Sequence, residues 1–494
     1  MFRRALIANR GEIACRVAAS LREHGVRSIA VYSDADACAL HVRQADEAVR
    51  LGPAEANLSY LNIEALIGAA RATGAEAIHP GYGFLAESAE FAEAVERAGL
   101  VFIGPTPEQA WQFGDKRRAR EAARQAGVPV VPGFEGADDA ALAGAAKRLG
   151  YPVVVKAALG GGGKGMTIAR DQVGLSSGLE SARRVAQSAF GESSVYLEKL
   201  IERPRHVEVQ LVGDGRGGVV HLFERECSLQ RRHQKVLEEA PSGAGEATRS
   251  ALCEAAVSLA RSVRYRGAGT VEFLLAPDGT FYFLEVNTRL QVEHPVTEMT
   301  TGTDLVWWQL LVAAEGKLPV TQAEVSRAGH SVEVRVYAED PAQDFLPQAG
   351  RLARVVWPRA PFVRVDAGVE SGSEVPLHYD PILAKIVAIA PDREAAWRRL
   401  AAALDETVVH GVVTNLDFLR ALARDPELRA GRFDTTTLEA RVIDRYRTLA
   451  EQPAPALALA AAALAESTAS SATGSPGSTH ADPFDSLGPW GRWA

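Results

Sequence analysis

Apolar residues in the first 113 positions recur with two alternating spacings. Short runs at Ala5–Ala8, Ser28–Tyr32, Glu76–His79 and Leu100–Ile103 read as strands. Between them, Glu12–Glu23, Tyr60–Ala72 and Ala89–Ala98 place apolar residues three and four apart, the spacing of an amphipathic helix. Strands alternating with helices predict an α/β unit with a mostly parallel sheet. Further on, a period of two takes over. Strands are expected at Val153–Lys156 and Met166–Ala169. In Arg205–Gln210, His206 and Glu208 share one strand face, with Val207 and Val209 on the other. Ser331–Ala338 alternates cleanly, with Val332, Val334 and Val336 on the core face and Glu333 and Arg335 turned the other way. With helices at Asp392–Leu404 and Asn415–Ala423, residues 331–447 read as α+β. From about Glu451, Ala, Ser, Pro, Gly and Thr dominate; Ala456–Leu464 reads as a transient helix and Ser467–His480 as linker.

One pair of strands carries chemistry in its register. Val271–Leu275 and Thr280–Val286 are rich in β-branched and aromatic residues, and Asp278-Gly279 between them is a hairpin signal. A two-residue loop pairs Thr280 with Pro277 and, running back, sets Glu272 opposite Glu285. Bare carboxylates there, about 5 Å apart, would repel by roughly 3 kcal/mol at an effective dielectric near 20. A hard divalent cation between them reverses that cost. Asn287, two residues on, faces the same way, and Arg289, Gln291 and Glu293 follow at alternate positions.

Two other stretches suit phosphate. Gly160–Gly165 has five glycines and Lys164 in six positions between two strands, so backbone N–H groups can approach an anion closely. No Ser or Thr follows Gly163-Lys164 and a strand comes next, which excludes a Walker A loop; GxGxxG is also absent. Arg231, Arg232, His233 and Lys235 lie within five residues. Cations of this density suit phosphoryl transfer. Cys227 reads as a small packed residue rather than a nucleophile.

Composition narrows the class. A chain of 494 residues, 47% hydrophobic and 23% charged, suits a globular protein of about three domains. A formal charge of −8 argues against nucleic acid as partner. Met1–Arg10 runs into the strand-like ALIAN with no secretory signal, and Ala456–Ala465 is short of the roughly 18 apolar residues of a membrane span. Four cysteines without CxxC spacing point to a reducing cytoplasm.

The strings EVNTRLQVEHPVTE (Glu285–Glu298), HPGYGFLAES (His79–Ser88), the glycine loop and RRHQK (Arg231–Lys235) closely resemble the biotin carboxylases, over about residues 1–447. The resemblance implies a Rossmann-like pre-ATP-grasp domain over 1–113, with His79–Ser88 as a wall of the cleft. It implies an ATP-grasp domain over 114–325 with a mobile Gly-rich lid at about 130–203. An α+β biotin carboxylase C-terminal domain over 326–447 and a disordered, flexible tail over 448–494 complete it. It implies ATP bound by Lys116, Lys156, Gly161, Gly162, Gly163, Lys164, Gly165, Met166, Glu198, Lys199, Ile201, His206, Gln230 and His233. His206 would contact ribose or adenine, and Gln230 ribose. Mg²⁺ or Mn²⁺ would sit on Glu272, Glu285 and Asn287, and bicarbonate on Lys235, Arg289, Gln291 and the backbone of Val292. Glu293 would be the general base, and Arg335 would stabilise the biotin enolate. The expected reaction is MgATP-dependent carboxylation of carrier-bound biotin by bicarbonate through carboxyphosphate, the first half-reaction of an acyl-CoA carboxylase.

The expected partners are a biotin carboxyl carrier protein, carboxyltransferase subunits and a second copy in a homodimer, with no nucleic acid and no membrane. No methionine here precedes a lysine, so the Ala-Met-Lys-Met string of a biotin-accepting domain is absent, and the carrier is expected on a separate polypeptide. The tail would be a linker ending in a vestigial or docking segment with Trp490 and Trp493. Two alternatives are a non-catalytic structural subunit, which a complete motif set argues against, and a carbamoyl-phosphate type ligase. RRHQK and the setting of Arg335 argue against the latter.

Overall fold

A computed structural model describes residues 1–135, 138–157, 167–190, 194–232 and 234–450. The tail readings from residue 451 on, Gly161–Met166 and His233 lie outside them. The chain divides into two compact units, Met1–Asp444 and Arg445–Ala494; of the second, the structure describes only the end of helix Ile443–Ala450. No described helix is long and apolar enough to cross a membrane.

The first 113 residues form a parallel five-stranded sheet in the order Glu47–Gly52, Arg27–Ser33, Arg4–Ile7, Ala77–His79, Val101–Phe102. Strand Glu47–Gly52 has no counterpart in the expected elements; its alternating half-buried and exposed residues mark a sheet edge. The order reverses between Arg4–Ile7 and Ala77–His79. In open α/β sheets a crevice opens at the carboxyl ends of such strands. The Asn9 turn and the His79–Ser88 loop occupy that position. Asn9 Nδ2 donates to the carbonyls of Pro80 and Tyr82, both at 2.7 Å. Gly81 sits there at φ +62°, and a Cβ on it would meet Asn9 Nδ2 at 2.9 Å, so only glycine fits.

The centre of the molecule is an eight-stranded antiparallel sheet: Phe281–Asn287, Arg266–Leu275, Arg205–Asp214, Val219–Arg231, Gln234–Ala240, His330–Tyr337, Ile382–Ala390, Val363–Ala367. It runs through the expected boundary near residue 325, because Gln234–Ala240 pairs with His330–Tyr337. Strand His330–Tyr337 is buried at every position. Its valines meet the core as expected; Glu333 and Arg335 do not face solvent but a buried ionic layer. A four-stranded antiparallel sheet, Gly133–Glu135, Val195–Lys199, Val153–Ala157 and Thr167–Ala169, carries helices Asp139–Leu149 and Gln172–Phe190 on a core of its own around Leu142, Val155, Leu175 and Leu197.

Candidate active site

The hairpin reaches its register by another route than the sequence suggests. Glu272 does lie opposite Glu285. The loop, however, has three residues: Ala276 N donates to the Thr280 carbonyl at 2.8 Å, and Gly279 stands at φ +86°. Thr280 therefore faces Ala276, not Pro277. A bulge between Phe283 and Glu285, where Phe283 N donates instead to the Pro129 carbonyl, restores the lost residue.

Lys235 is the hub of what lies on this face. Its Nζ donates to Glu208 Oε2 at 2.6 Å, Glu272 Oε1 at 2.8 Å and Glu293 Oε1 at 2.6 Å. Burial alone would lower its pKa, but Glu208, Glu272 and Glu293 outweigh that and raise it well above the usual lysine range. The other oxygen of Glu293 accepts from Arg335 Nη2 at 3.0 Å, and Arg335 also pairs with Glu238. Burial works to raise the Glu293 pKa, yet Lys235 and Arg335 hold it well below the carboxylate range. Glu238 is pushed up to about 7 by burial, against the pull of Arg335. Cys227 is fully buried, with its pKa well above the thiol range through burial first and Glu208 next, as a packed thiol should be.

Glu272 also accepts from Asn287 Nδ2 at 2.9 Å and Gln291 Nε2 at 3.3 Å, and His206 Nε2 stands 2.9 Å away. His206 thus lies on an acid of the cluster. Its ring nitrogen and oxygens of Glu208 and Glu272 all fall within 4.8 Å of one another. Glu285 is raised by burial and then by the charge of Glu272, although a 38% exposed side chain lets water screen much of that. These acids fit a hard dication: Glu272 is held ionised by its neighbours, and Glu285 carries the like-charge cost that a cation would remove.

The adenosine and phosphate candidates divide. Lys116 opens helix Lys116–Gln125, with Nζ 3.6 Å from Glu285. Glu198 pairs with Lys156 and Arg120. Lys199 Nζ is tied to the Gly150 and Tyr151 carbonyls at 2.8 and 3.1 Å, and its backbone N–H donates to the Pro132 carbonyl at 2.8 Å. Ile201 is half-buried and Gln230 buried. The described cations of the run do not act as one cluster, because Arg231 ends one strand and Lys235 lies on the antiparallel strand that pairs with it. Arg231 lies over the Phe345 ring at 4.3 Å, and Arg232 pairs with Asp344 at 2.5 Å. Of the described cations in this run, Lys235 alone enters the acid cluster.

Arg289 donates to Gln291 Oε1 at 2.8 Å and Asn287 Oδ1 at 3.2 Å, and lies 3.4 Å from Glu87 of the His79–Ser88 loop. That contact brings the N-terminal loop to the cleft. Sequence reasoning did not single out Glu208, Arg225 or Glu238. Arg225 is fully buried and donates to Glu208 Oε1 at 2.6 Å, Gln210 at 2.8 Å, Thr297 at 3.0 Å and Thr270 at 3.1 Å. The alternation His206, Glu208, Gln210 was the available signal: three polar residues on one face of an interior strand need buried partners.

Three family models match in sequence order: "Biotin carboxylase, N-terminal domain" over residues 1–110, "Carbamoyl-phosphate synthase L chain, ATP binding domain" over 115–321, and "Biotin carboxylase C-terminal domain" over 333–440. The biotin carboxylase of Pseudomonas aeruginosa is 47% identical over 446 residues, covering 90% of this chain and 99% of that one. This chain belongs to the biotin carboxylase family. The mouse mitochondrial methylcrotonoyl-CoA carboxylase subunit alpha is 50% identical over 436 residues, 87% of this chain but 61% of that protein. The chain thus spans about three fifths of the methylcrotonoyl-CoA carboxylase alpha subunits it matches. Among solved structures, the Campylobacter jejuni biotin carboxylase–β,γ-ATP complex superposes with a TM-score of 0.84 at 42% identity, covering 89% of this chain and 99% of that one. The Hydrogenobacter thermophilus 2-oxoglutarate carboxylase biotin carboxylase domain dimer, with MgADP, ADP and bicarbonate, gives 0.83 at 42%, covering 90% and 99%. The architecture is that of the family: an N-terminal parallel sheet, an ATP-grasp antiparallel sheet and a C-terminal domain.

Proposed function

We propose that this chain carboxylates biotin: ATP, bicarbonate and biotin on a carrier give ADP, phosphate and N1′-carboxybiotin. The observation that carries the reading is the Glu293 carboxylate, held between Lys235 at 2.6 Å and Arg335 at 3.0 Å. One candidate base is shared by the candidate bicarbonate cation and the candidate biotin cation.

In this reading Glu293 is masked while both cations hold it. Bicarbonate binding to Lys235, Arg289, Gln291 and the Val292 backbone draws Lys235 toward the new anion and leaves a Glu293 oxygen free. Glu293 then takes the bicarbonate proton as a bicarbonate oxygen attacks the γ-phosphorus and ADP leaves. Carboxyphosphate breaks to CO₂ and phosphate. That phosphate takes the N1′ proton, and N1′ attacks CO₂. Arg335 turns from Glu293 to the ureido oxygen, where its charged planar fork holds the developing negative charge. Lys116, Lys156 and His233 are assigned to the phosphates, with Gly161–Met166 as lid. Glu198, Lys199, Ile201, His206 and Gln230 are assigned to the nucleoside. For Lys156 this requires exchanging its partner Glu198 for a phosphate. Glu272, Glu285 and Asn287 would hold Mg²⁺ or Mn²⁺, which neutralises phosphate charge when bound.

The proposed partners are a biotin carrier, a carboxyltransferase and a second copy of the chain, and the four free cysteines suit the cytoplasm. The relatives' names support an acyl-CoA as final acceptor. The test is ATP hydrolysis with and without bicarbonate and free biotin. Hydrolysis should require bicarbonate and rise with biotin; hydrolysis indifferent to bicarbonate would sink the reading.

A further inference from the structure

Lys385 is a fully buried ammonium that none of the roles above employs. It lies on strand Ile382–Ala390, cross-strand partner of Arg335 on one side and of Asp366 on the other. Its side chain has no exposure at all. Nζ donates to the Val292 carbonyl at 3.0 Å and lies 3.3 Å from Glu12 and 3.7 Å from Asp366. Burying an ammonium costs several kcal/mol, roughly offset here only because two acids flank it. A neutral donor would hold one carbonyl more cheaply. A charge is called for where the held group must be fixed firmly, or where an anion is to be stabilised nearby.

Both conditions meet at Val292. Its carbonyl and the Glu293 N–H belong to one peptide plane, and its own N–H lies one plane earlier. Holding the carbonyl sets the Val292–Glu293 plane, while the plane of the Val292 N–H carries the Gln291 carbonyl, which His294 meets through N at 3.3 Å and Nδ1 at 2.7 Å. Two side-chain ties on this turn, Arg289 to Gln291 and Gln291 to Glu272, are ones that binding an anion would disturb. The Lys385 bond comes from a fully buried side chain on an interior strand, next to the sheet edge, and that ammonium has no exposure through which to meet an incoming anion. Its counterion Glu12 stands in the first turn of helix Gly11–Glu23, pressed onto the C-terminal part of the sheet so closely that a Cβ on Gly368 would meet Glu12 N at 2.4 Å. Three parts of the chain converge on this ammonium: the N-terminal helix, the turn after Asn287 and the C-terminal strands.

We propose that Lys385 is a positioning residue for bicarbonate: it fixes the Val292–Glu293 peptide so that the Val292 backbone and the Glu293 carboxylate face the anion together. This rests on the carboxylation reading above. It touches no substrate and acts through Val292.

The test is steady-state kinetics of bicarbonate-dependent ATP hydrolysis by the full chain, varying bicarbonate and ATP separately. Lys385→Met should raise the bicarbonate KM by about tenfold or more, the scale of one charge-assisted hydrogen bond, and leave the ATP KM within about twofold. Lys385→Met strands Glu12 beside an apolar group, so the Glu12→Gln/Lys385→Met double variant is measured too, and should show the same split. Glu12→Gln alone keeps the bond to Val292 and should keep the bicarbonate KM near wild type. Equal changes in both KM values, a normal bicarbonate KM in the Lys385 variants, or loss of fold in both of them would overturn the proposal. A wild-type chain without bicarbonate-dependent hydrolysis would instead overturn the carboxylation reading itself, a distinguishable result.

Discussion

Glu293 binds Lys235 with one oxygen and Arg335 with the other, so the two cations should fail differently when removed. Glu293→Gln removes the base before hydrolysis and carboxylation divide, and both should fall by about 100-fold or more, the usual worth of a general base. Arg335→Ser should abolish most biotin carboxylation and keep part of the bicarbonate-dependent hydrolysis, since Lys235 still holds Glu293. Equal loss of both activities in both variants would refute this division. Glu285→Gln should raise the Mg²⁺ requirement and lower turnover. Its melting temperature should hold or rise, because the repulsion with Glu272 that raises Glu285 disappears. A Mg²⁺ titration matching wild type would remove Glu285 from the metal site. At this scale the sequence was readable where residues alternate: Glu272, Glu285, Asn287 and Gln291 do converge. Glu208, Arg225 and Glu238 were not, because a carboxylate or guanidinium inside a sheet is recognised only by the buried partner facing it, and Glu208 and Arg225 are 17 residues apart while the partner of Glu238 is Arg335.

The strands carry the site, and their polar faces are where stability is most exposed to change. Glu239 on Gln234–Ala240 accepts from His330 Nε2 at 2.8 Å, Arg393 Nε at 2.8 Å and Trp397 Nε1 at 3.0 Å. Burial would raise its pKa, but His330 and Arg393 draw it down to about 2. A carboxylate depressed from 4.5 to about 2 contributes about 3 kcal/mol above its unfolded pKa, lost as pH falls through that interval. Glu239→Gln should therefore lower stability by about 3 kcal/mol at neutral pH and by progressively less as pH falls from 4.5 toward 2, read by urea unfolding at several pH values. A pH-independent difference would show that the ion pairs contribute little. Strand His330–Tyr337 shows the limit of pattern reading: alternation separates two faces but does not say whether the polar one meets water or buried ions. The hairpin shows another limit. Its register came out as expected because a three-residue loop and a bulge, both unread, cancel each other.

At the scale of the molecule, one antiparallel sheet joins what sequence patterning treats as separate domains. Gln234–Ala240, bearing Lys235, pairs directly with His330–Tyr337, bearing Arg335. The candidate bicarbonate and biotin cations therefore sit on adjacent strands with no hinge between them, while the sheet Val153–Ala157 and Val195–Lys199 packs on a separate core. Domain order was legible, since α/β alternation gives way to period two and then to mixed elements. The continuity of the sheet was not, because pairing across some 90 residues leaves no local trace. This arrangement makes the central claim simple to measure: both half-steps should occur on this chain alone. With ATP, Mg²⁺, free biotin and ¹⁴C-bicarbonate, the chain should form acid-labile ¹⁴C-carboxybiotin, in amounts tracking the biotin-stimulated ADP released. ADP formation without labelled biotin, or label passing to ammonia rather than biotin, would contradict the account.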